Sequence, residues 1–243
     1  MPTNKVYESF ELAVEDIFDG ASVMIGMFGG IACAPQNLVL ALATSQVRNL
    51  TIISNPAGGD GRLGIGNIGG KPYIDHEILV KNGQVKKFIG AVPASIVVSR
   101  PNAFEELYRQ GKAELELVPQ GTLAERIRAG GAGIGAFYTP TGVGTVIADG
   151  KENRTIGGRE MILEYALRAD FALIRAHKSD TMGNLIYKGV MRTFNPLMAT
   201  AADVVIAEVD EVLEPGDLDP EIIVTPGIFV NRIVETSKGK VKR

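Results

Sequence analysis

The order of hydrophobic and polar positions alternates between helix-like and strand-like spacing along the chain. Near the N-terminus, apolar residues recur at the spacing of one helix face, at Phe10, Ala13, Val14 and Ile17. Residues 22–27 then form a short unbroken apolar run, which is typical of a strand buried on both faces. Because this exchange of helix and buried strand repeats, the pattern predicts an α/β fold with a largely parallel sheet and flanking helices.

The remaining predicted elements follow from the same patterns. Further strands are predicted at 50–54, 85–92, 95–98, 113–117, 171–176 and 203–209. Further helices are predicted from Pro35, at 77–81, from Asn102 to about 110, at 122–128 and at 196–202. Residues 55–72 and 130–144 are rich in glycine and predict irregular loops, whereas 145–190 predicts antiparallel hairpins. No linker or repeat interrupts the pattern, so we expect one domain over residues 1–243.

Composition and charge exclude several classes of protein. A net charge of −3 lacks the basic footprint of a nucleic-acid binder. The single cysteine, Cys33, cannot form an intrachain disulfide, and the two histidines lie too far apart in sequence to indicate a metal site. No apolar run approaches the ~20 residues that a membrane-spanning helix needs, and no signal peptide is evident. We therefore expect a cytoplasmic protein without metal, nucleic-acid or membrane partners.

A glycine-containing loop between the first buried strand and the helix at Pro35 is a candidate ligand site. In open α/β sheets, ligands bind just beyond the carboxyl ends of the strands. Backbone N–H groups at a helix start can also meet anionic oxygens. A tight turn without a ligand is the alternative interpretation. The candidate ligand-binding residues are Gly26, Met27, Phe28, Gly29, Gly30, Ile31 and Ala32.

A second glycine pattern, residues 64–69, matches the dinucleotide-binding string Gly-x-Gly-x-x-Gly. That motif requires a strand immediately before it and a helix immediately after it. Here Asn55-Pro56-Ala57-Gly58-Gly59 lies upstream and Pro72 follows soon after, so neither requirement is met. We therefore reject a dinucleotide site at this position.

Gln120 is the candidate catalytic residue. It lies between a predicted strand that ends at Val118 and a predicted helix cap at Thr122, where Glu125 completes a capping-box pattern. An uncharged amide with two N–H donors is suited to stabilising a developing oxyanion without titrating. From the residues alone, however, a glutamine that only satisfies nearby backbone groups is the favoured interpretation. The string from His177 to Asp180 does not predict a catalytic triad, because its members share one probable turn.

Several stretches resemble the A subunit of family I coenzyme A transferases. Residues 19–35 resemble the first signature of that family, and 116–133, which contain Val118-Pro119-Gln120-Gly121-Thr122, resemble its most distinctive block. Residues 137–145 continue this resemblance, which covers most of 10–230. Two positions depart from the family pattern, since Met27 and Ala32 stand where glycine is usual. The segment 58–99 is also longer and richer in glycine than the family leads us to expect.

The resemblance implies a fold of the coenzyme A transferase type and a ping-pong exchange. A glutamate carboxylate attacks the acyl-CoA thioester, which expels CoA thiolate and leaves a mixed anhydride. The thiolate then attacks the glutamyl carbonyl, which gives an enzyme–CoA thioester and releases the first acid, and a second carboxylic acid reverses these steps. In this family the glutamate lies in a Ser-Glu-Asn-Gly motif on the B subunit or on a fused C-terminal half, and this chain has no such motif. The resemblance therefore implies a B (beta) subunit partner, an α2β2 assembly, and Gln120 as the oxyanion-stabilising residue.

The implied substrates are an acyl-CoA, such as succinyl- or acetyl-CoA, and a short-chain acid, such as a 3-oxoacid or acetate. Coenzyme A is then a substrate, and no tightly bound cofactor is expected. Two alternatives remain open at this point. One is a sugar-phosphate isomerase or deaminase of similar fold, which would carry its own acid and base. The other is a non-catalytic subunit that binds CoA and supports assembly.

Overall fold

The computed structural model of the chain describes residues 4–28, 31–59, 67–68, 71–72, 74–95 and 99–237. The helices are α1 Phe10–Val14, α2 Gln36–Thr44, α3 Glu77–Lys81, α4 Ala103–Arg109, α5 Gln120–Gly131 and α6 Asn195–Thr200. The strands are β1 Ser22–Ile25, β2 Leu50–Ile53, β3 Asn67–Ile68, β4 Lys71–Pro72, β5 Val85–Gly90, β6 Glu114–Leu117, β7 Ala136–Thr139, β8 Asn153–Ile156, β9 Arg159–Tyr165, β10 Ala169–Asp180, β11 Leu185–Ile186, β12 Ala202–Leu213 and β13 Arg232–Glu235.

The main sheet has the strand order β13-β12-β10-β1-β2-β5-β6, and β11 pairs with β10 beside this path. Every neighbouring pair along the path is parallel, and only β11 runs antiparallel. The predicted α/β class with a largely parallel sheet is therefore confirmed. The chain builds outward from β1 through β2 to β6, and then fills the other side from β10 to β13. The order thus reverses between β1 and β10, which is where open α/β sheets form a ligand-binding crevice.

Helices cover both faces of this sheet, which explains why its central strands β1 and β2 are largely apolar. Successive strand residues point to opposite faces. Val23 and Ile25 of β1 therefore pack with α1 and α2 in one core, whereas Met24 packs in a second core with residues of α5 and α6. A strand buried on both faces cannot alternate apolar with polar residues.

A separate antiparallel sheet of order β7-β9-β8 lies beyond α5. The β8–β9 hairpin turns at Gly157 and Gly158, whose φ values are 58° and 78°. Both angles lie in the left-handed region that glycine adopts at little cost. The predicted antiparallel hairpin structure in this part of the chain is confirmed by β8 and β9. Residues 146–148, however, form a single 3₁₀ turn rather than a strand. The predicted strand at 95–98 is not observed at Ser95, and 96–98 lie outside the described residues.

The prediction that residues 130–144 form an irregular loop is wrong at 130–131 and 136–139, whereas 132–135 and 140–144 are irregular as predicted. Helix α5 continues to Gly131, and β7 follows after a short turn. The two glycines at the helix end allow neighbouring segments to approach closely. A Cβ atom on Gly130 would lie 2.2 Å from the carbonyl oxygen of Leu167, and one on Gly131 would lie 2.1 Å from Oγ1 of Thr200. Glycine is therefore required here by packing.

The loop predicted at 55–72 contains the two-residue strands β3 and β4, which pair antiparallel. The rest of the Gly-x-Gly-x-x-Gly string, apart from Asn67 and Ile68, lies outside the described residues. Among the helices that the structure describes, none is long and apolar enough to cross a membrane.

Candidate active site

The carboxyl ends of the parallel strands place several sequence-predicted residues along one edge of the main sheet. Gln120 follows β6 at this edge and is the first residue of α5. The sequence predicts Gln120 in the loop before the helix, whereas in the structure it is already part of the helix. The predicted cap at Thr122 is wrong, because Thr122 lies inside the first turn and Glu125 pairs instead with Arg128 at 2.6 Å. Pro119, with φ at −56°, already has the backbone geometry that starts a helix.

The Gln120 side chain is exposed, but one end of it is held. Its Nε2 donates a hydrogen bond of 2.9 Å to Oδ1 of Asn55. Asn55 follows β2 and is only 5% exposed. The carbonyl oxygen of Asn55 accepts hydrogen bonds from the backbone N–H groups of Ala91 and Val92, so its own position is fixed. The fold thus joins two neutral amides that lie far apart in sequence.

In the sequence, Asn55 is recognisable only as a polar residue near a loop end. Its contact with Gln120 depends on the strand order β2-β5-β6, which brings the ends of β2 and β6 to the same edge. Nothing in the local sequence encodes this order. A polar residue directly after a buried strand is the only available signal.

Gly26 begins the predicted ligand-binding loop, and the structure shows what surrounds it. Its N–H donates to the carbonyl oxygen of Leu173 across the β1–β10 switch point. A Cβ atom at this position would lie 1.7 Å from Oδ1 of Asn195. The space that glycine leaves is therefore filled by a side chain of the same protein.

The next residues of this loop divide between buried and exposed positions. Met27 is buried with Cys33 and Ala34, and the half-buried ring of Phe28 meets that of Phe194 edge-to-face at 6.0 Å. Ala32 is exposed. Ile31 begins a single 3₁₀ turn, and Gly29 and Gly30 lie outside the described residues. Ligand binding by this loop stays a prediction.

The start of α2, which follows the loop, already holds the side-chain carboxyl group of Glu208. The backbone N–H groups of Asn37 and Leu38 donate to Oε2 of Glu208 at 2.9 and 3.2 Å, and the Asn37 side chain donates to Oε1. Burial raises the pKa of Glu208, while nearby Arg175 and the hydrogen bonds from Asn37 and Leu38 act in the opposite direction. A carboxyl group of the chain itself thus occupies the helix start that the sequence offers to a ligand.

Other charged residues near this edge are paired with each other. Arg175 pairs with Asp210, whose other oxygen lies 2.9 Å from Nδ1 of His177. Burial acts to raise the pKa of Asp210, but hydrogen bonding to His177 and the charge of Arg175 together outweigh it and lower that pKa. The prediction that His177, Ser179 and Asp180 share a turn is wrong, because all three lie in β10, where Ser179 donates to the carbonyl oxygen of Asp180. In the described ranges, no group of three acidic, histidine or cysteine residues is arranged to hold a metal ion.

Residues 7–236 match the sequence profile of a family described as coenzyme A transferase. The chain belongs to the coenzyme A transferase family, and the predicted resemblance is confirmed. It is 51% identical over 234 residues to the A subunit of the 3-oxoadipate CoA-transferase of Pseudomonas putida, covering 96% of this chain and 94% of that protein. It is 45% identical over 224 residues to the alpha subunit of the acetate CoA-transferase of Escherichia coli strain K12, covering 91% and 93%.

Comparison with solved structures supports the fold. The acyl-CoA transferase apoenzyme of Escherichia coli O157:H7 superposes with a TM-score of 0.81 over 98% of this chain, at 22% identity. The match covers 48% of that longer chain, so this protein spans about half of its length. At this identity the superposition establishes a shared fold and nothing further.

Proposed function

We propose that this chain is the A (alpha) subunit of a CoA-transferase that moves CoA from an acyl-CoA to a short-chain acid, such as a 3-oxoacid or acetate. Relatives that align over nearly their full length are A or alpha subunits by name, which supports a separate B subunit in this protein too. We propose an α2β2 assembly of the two. Family membership favours CoA transfer over sugar-phosphate isomerisation. A purely assembling subunit is disfavoured because an amide donor lies at the sheet edge where substrates bind.

The observation that carries this proposal is the placement of Gln120. In each acyl-transfer step, a carbonyl oxygen gains negative charge as the tetrahedral intermediate forms. One N–H of Gln120 is directed to Asn55, and the second is available to this oxygen. The side chain is exposed at the sheet edge, so a substrate and a partner's glutamate can both reach it. The attacking carboxylate, and hence the glutamyl–CoA thioester, belong to the B subunit in this proposal.

The loop 26–32 is proposed to contact the CoA moiety. It follows β1 at the same edge and borders the reversal of strand order between β1 and β10. Since Gly26 and Met27 are used inside the fold, the exposed Ala32 is the residue among those described in this loop that a ligand can approach.

The test uses the complex of this chain with a B subunit that carries a Ser-Glu-Asn-Gly motif. CoA exchange between acyl-CoA and a carboxylic acid is measured for wild type and for Gln120→Ala. Loss of one oxyanion donor is expected to lower kcat by about 10²–10³-fold while the complex stays intact by size-exclusion chromatography. Gln110→Ala is the matched control, because Gln110 is also exposed but lies near the opposite end of β6.

Three results would contradict the proposal. Near wild-type turnover by Gln120→Ala would remove the assigned role of Gln120. CoA exchange by the isolated chain, through a glutamate of its own, would remove the need for a B subunit. Sugar-phosphate turnover by the isolated chain would instead support the isomerase alternative.

A further inference from the structure

We propose that Asn55 is a positioning residue, which holds the Gln120 amide in the orientation that presents its second N–H to the reacting carbonyl. This inference rests on the proposed role of Gln120. It adds a second residue to the site and assigns it a function that acts entirely through the first.

An exposed glutamine does not hold one orientation without help. Its side chain has several rotatable bonds, and ordering it costs up to ~2 kcal/mol in lost rotamer freedom. Gln120 is exposed, and within the described part of the chain the hydrogen bond to Asn55 is the one that its side chain makes. Catalysis by an oxyanion donor requires that the donor be in place before charge develops. The contact with Asn55 is therefore the feature that orders this amide.

The contact, as the structure shows it, places the –NH₂ end of Gln120 against an acceptor. Oδ1 of Asn55 can only accept a hydrogen bond, so it selects the –NH₂ end of Gln120 rather than its oxygen. The second N–H of that group then remains as a donor. The reversed amide would turn its carbonyl oxygen towards a developing negative charge and would oppose the reaction.

Asn55 is suited to this role because the sheet immobilises it. Ser54 donates through its N–H to the carbonyl oxygen of Ile89, and Val118 donates to that of Gly90. The chain segments that lead to Asn55 and Gln120 are thus both fixed to β5, the strand that lies between them. A Cβ atom on Gly90 would lie 2.1 Å from the carbonyl oxygen of Ser54, so glycine permits this close approach.

A double-mutant cycle tests the inference in the complex with the B subunit. Wild type, Asn55→Ala, Gln120→Ala and the double variant are compared by kcat and by KM for acyl-CoA. Loss of one neutral hydrogen bond is expected to lower kcat about tenfold in the presence of Gln120, with KM changed less than about twofold. In the Gln120→Ala background, Asn55→Ala is expected to change kcat less than about twofold, because no amide remains to be oriented.

Asn102 provides a matched control, since it is also a buried asparagine. It caps α4, where its side chain accepts a hydrogen bond of 2.8 Å from the N–H of Glu105 and donates one to the carbonyl oxygen of Pro93 rather than bonding to Gln120. Asn102→Ala is expected to lower Tm. Any effect of this substitution on kcat should be the same with glutamine or alanine at position 120. Asn55→Leu removes the same polar groups while keeping more volume. Tm and complex formation show whether Asn55→Ala or Asn55→Leu folds, and the folded variant is used in the cycle.

The outcomes separate this inference from the proposed function. If Gln120→Ala turns over normally, the proposed function itself fails. If Gln120→Ala is impaired but Asn55→Ala leaves kcat unchanged, Asn55 does not position the amide. If Asn55→Ala lowers kcat by the same factor in both backgrounds, Asn55 acts independently of Gln120, and the inference is overturned while the role of Gln120 stands.

Discussion

Replacing Gly26 with alanine would place a methyl group where Asn195 already lies. The added Cβ atom would be 1.7 Å from Oδ1 and 2.7 Å from Cγ of Asn195, both well below any real contact distance. The Asn195 side chain is fully buried and makes three hydrogen bonds of 3.0 Å. It accepts from the N–H of Arg175 and donates to the carbonyl oxygens of Cys33 and Met191. The methyl group must therefore displace a side chain that joins three segments.

The expected loss of stability follows from these three contacts. A buried hydrogen bond contributes about 0.5–1.5 kcal/mol net, so losing three costs about 1.5–4.5 kcal/mol. Groups left unpaired, or strain from overpacking, act in the same direction. We therefore expect Gly26→Ala to lower the free energy of unfolding by about 3 kcal/mol, a large part of the ~5–15 kcal/mol typical of a domain.

Urea unfolding followed by circular dichroism measures this loss. Gly135→Ala is the control, because a Cβ atom there meets nothing within 4 Å, and it is expected to change stability by less than about 0.5 kcal/mol. In an Asn195→Ala background the methyl group has room, so Gly26→Ala should cost much less. If Gly26→Ala is as stable as wild type, or costs the same in both backgrounds, then Asn195 is not the reason for glycine at this position.

Two further predictions concern stability and the site. Burial acts to raise the pKa of Glu116, but Lys87 and Arg126 outweigh it and lower that pKa. A lowered folded-state pKa stabilises the protein above the ordinary value of 4.5, and this contribution disappears as the pH falls through the folded-state pKa. The Tm difference between wild type and Glu116→Gln should thus be present at neutral pH and shrink in acid; a constant difference would contradict this. Gly90→Ala should lower both Tm and kcat, because its Cβ atom would meet the backbone oxygen of Ser54, and an unchanged kcat in a folded variant would show that the site tolerates the shift.

Local sequence patterns predict the helices and strands whose formation depends mainly on residues close together in the sequence. The pattern at 77–81 predicts helix α3 with the observed bounds, and α4 begins with Asn102 as its cap, as the sequence indicates. The buried strands are also recognisable, because burial on both faces requires an unbroken apolar run. These features depend on neighbouring residues, and neighbouring residues are visible in a sequence.

Features decided by distant contacts do not follow from local patterns. The capping box at Thr122 and Glu125 is a sound local signal, but Pro119 starts the helix earlier and Glu125 finds another partner. The sequence around Gly130 predicts a loop, whereas this glycine lies in a helix that packs closely against another segment. Gln120 is identifiable as a candidate, but its partner lies across β5 and depends on strand order.

The carboxylate of Glu208 at the start of α2 has a consequence for the response of this protein to salt. Dissolved ions weaken interactions between charges that solvent reaches, and they affect enclosed charges far less. Because Glu208 is only 2% exposed, its attachment of β12 to α2 should persist at ionic strengths that weaken the exposed ion pairs on the surface. Helix α2 is thus held to β12 by a contact that added salt barely alters.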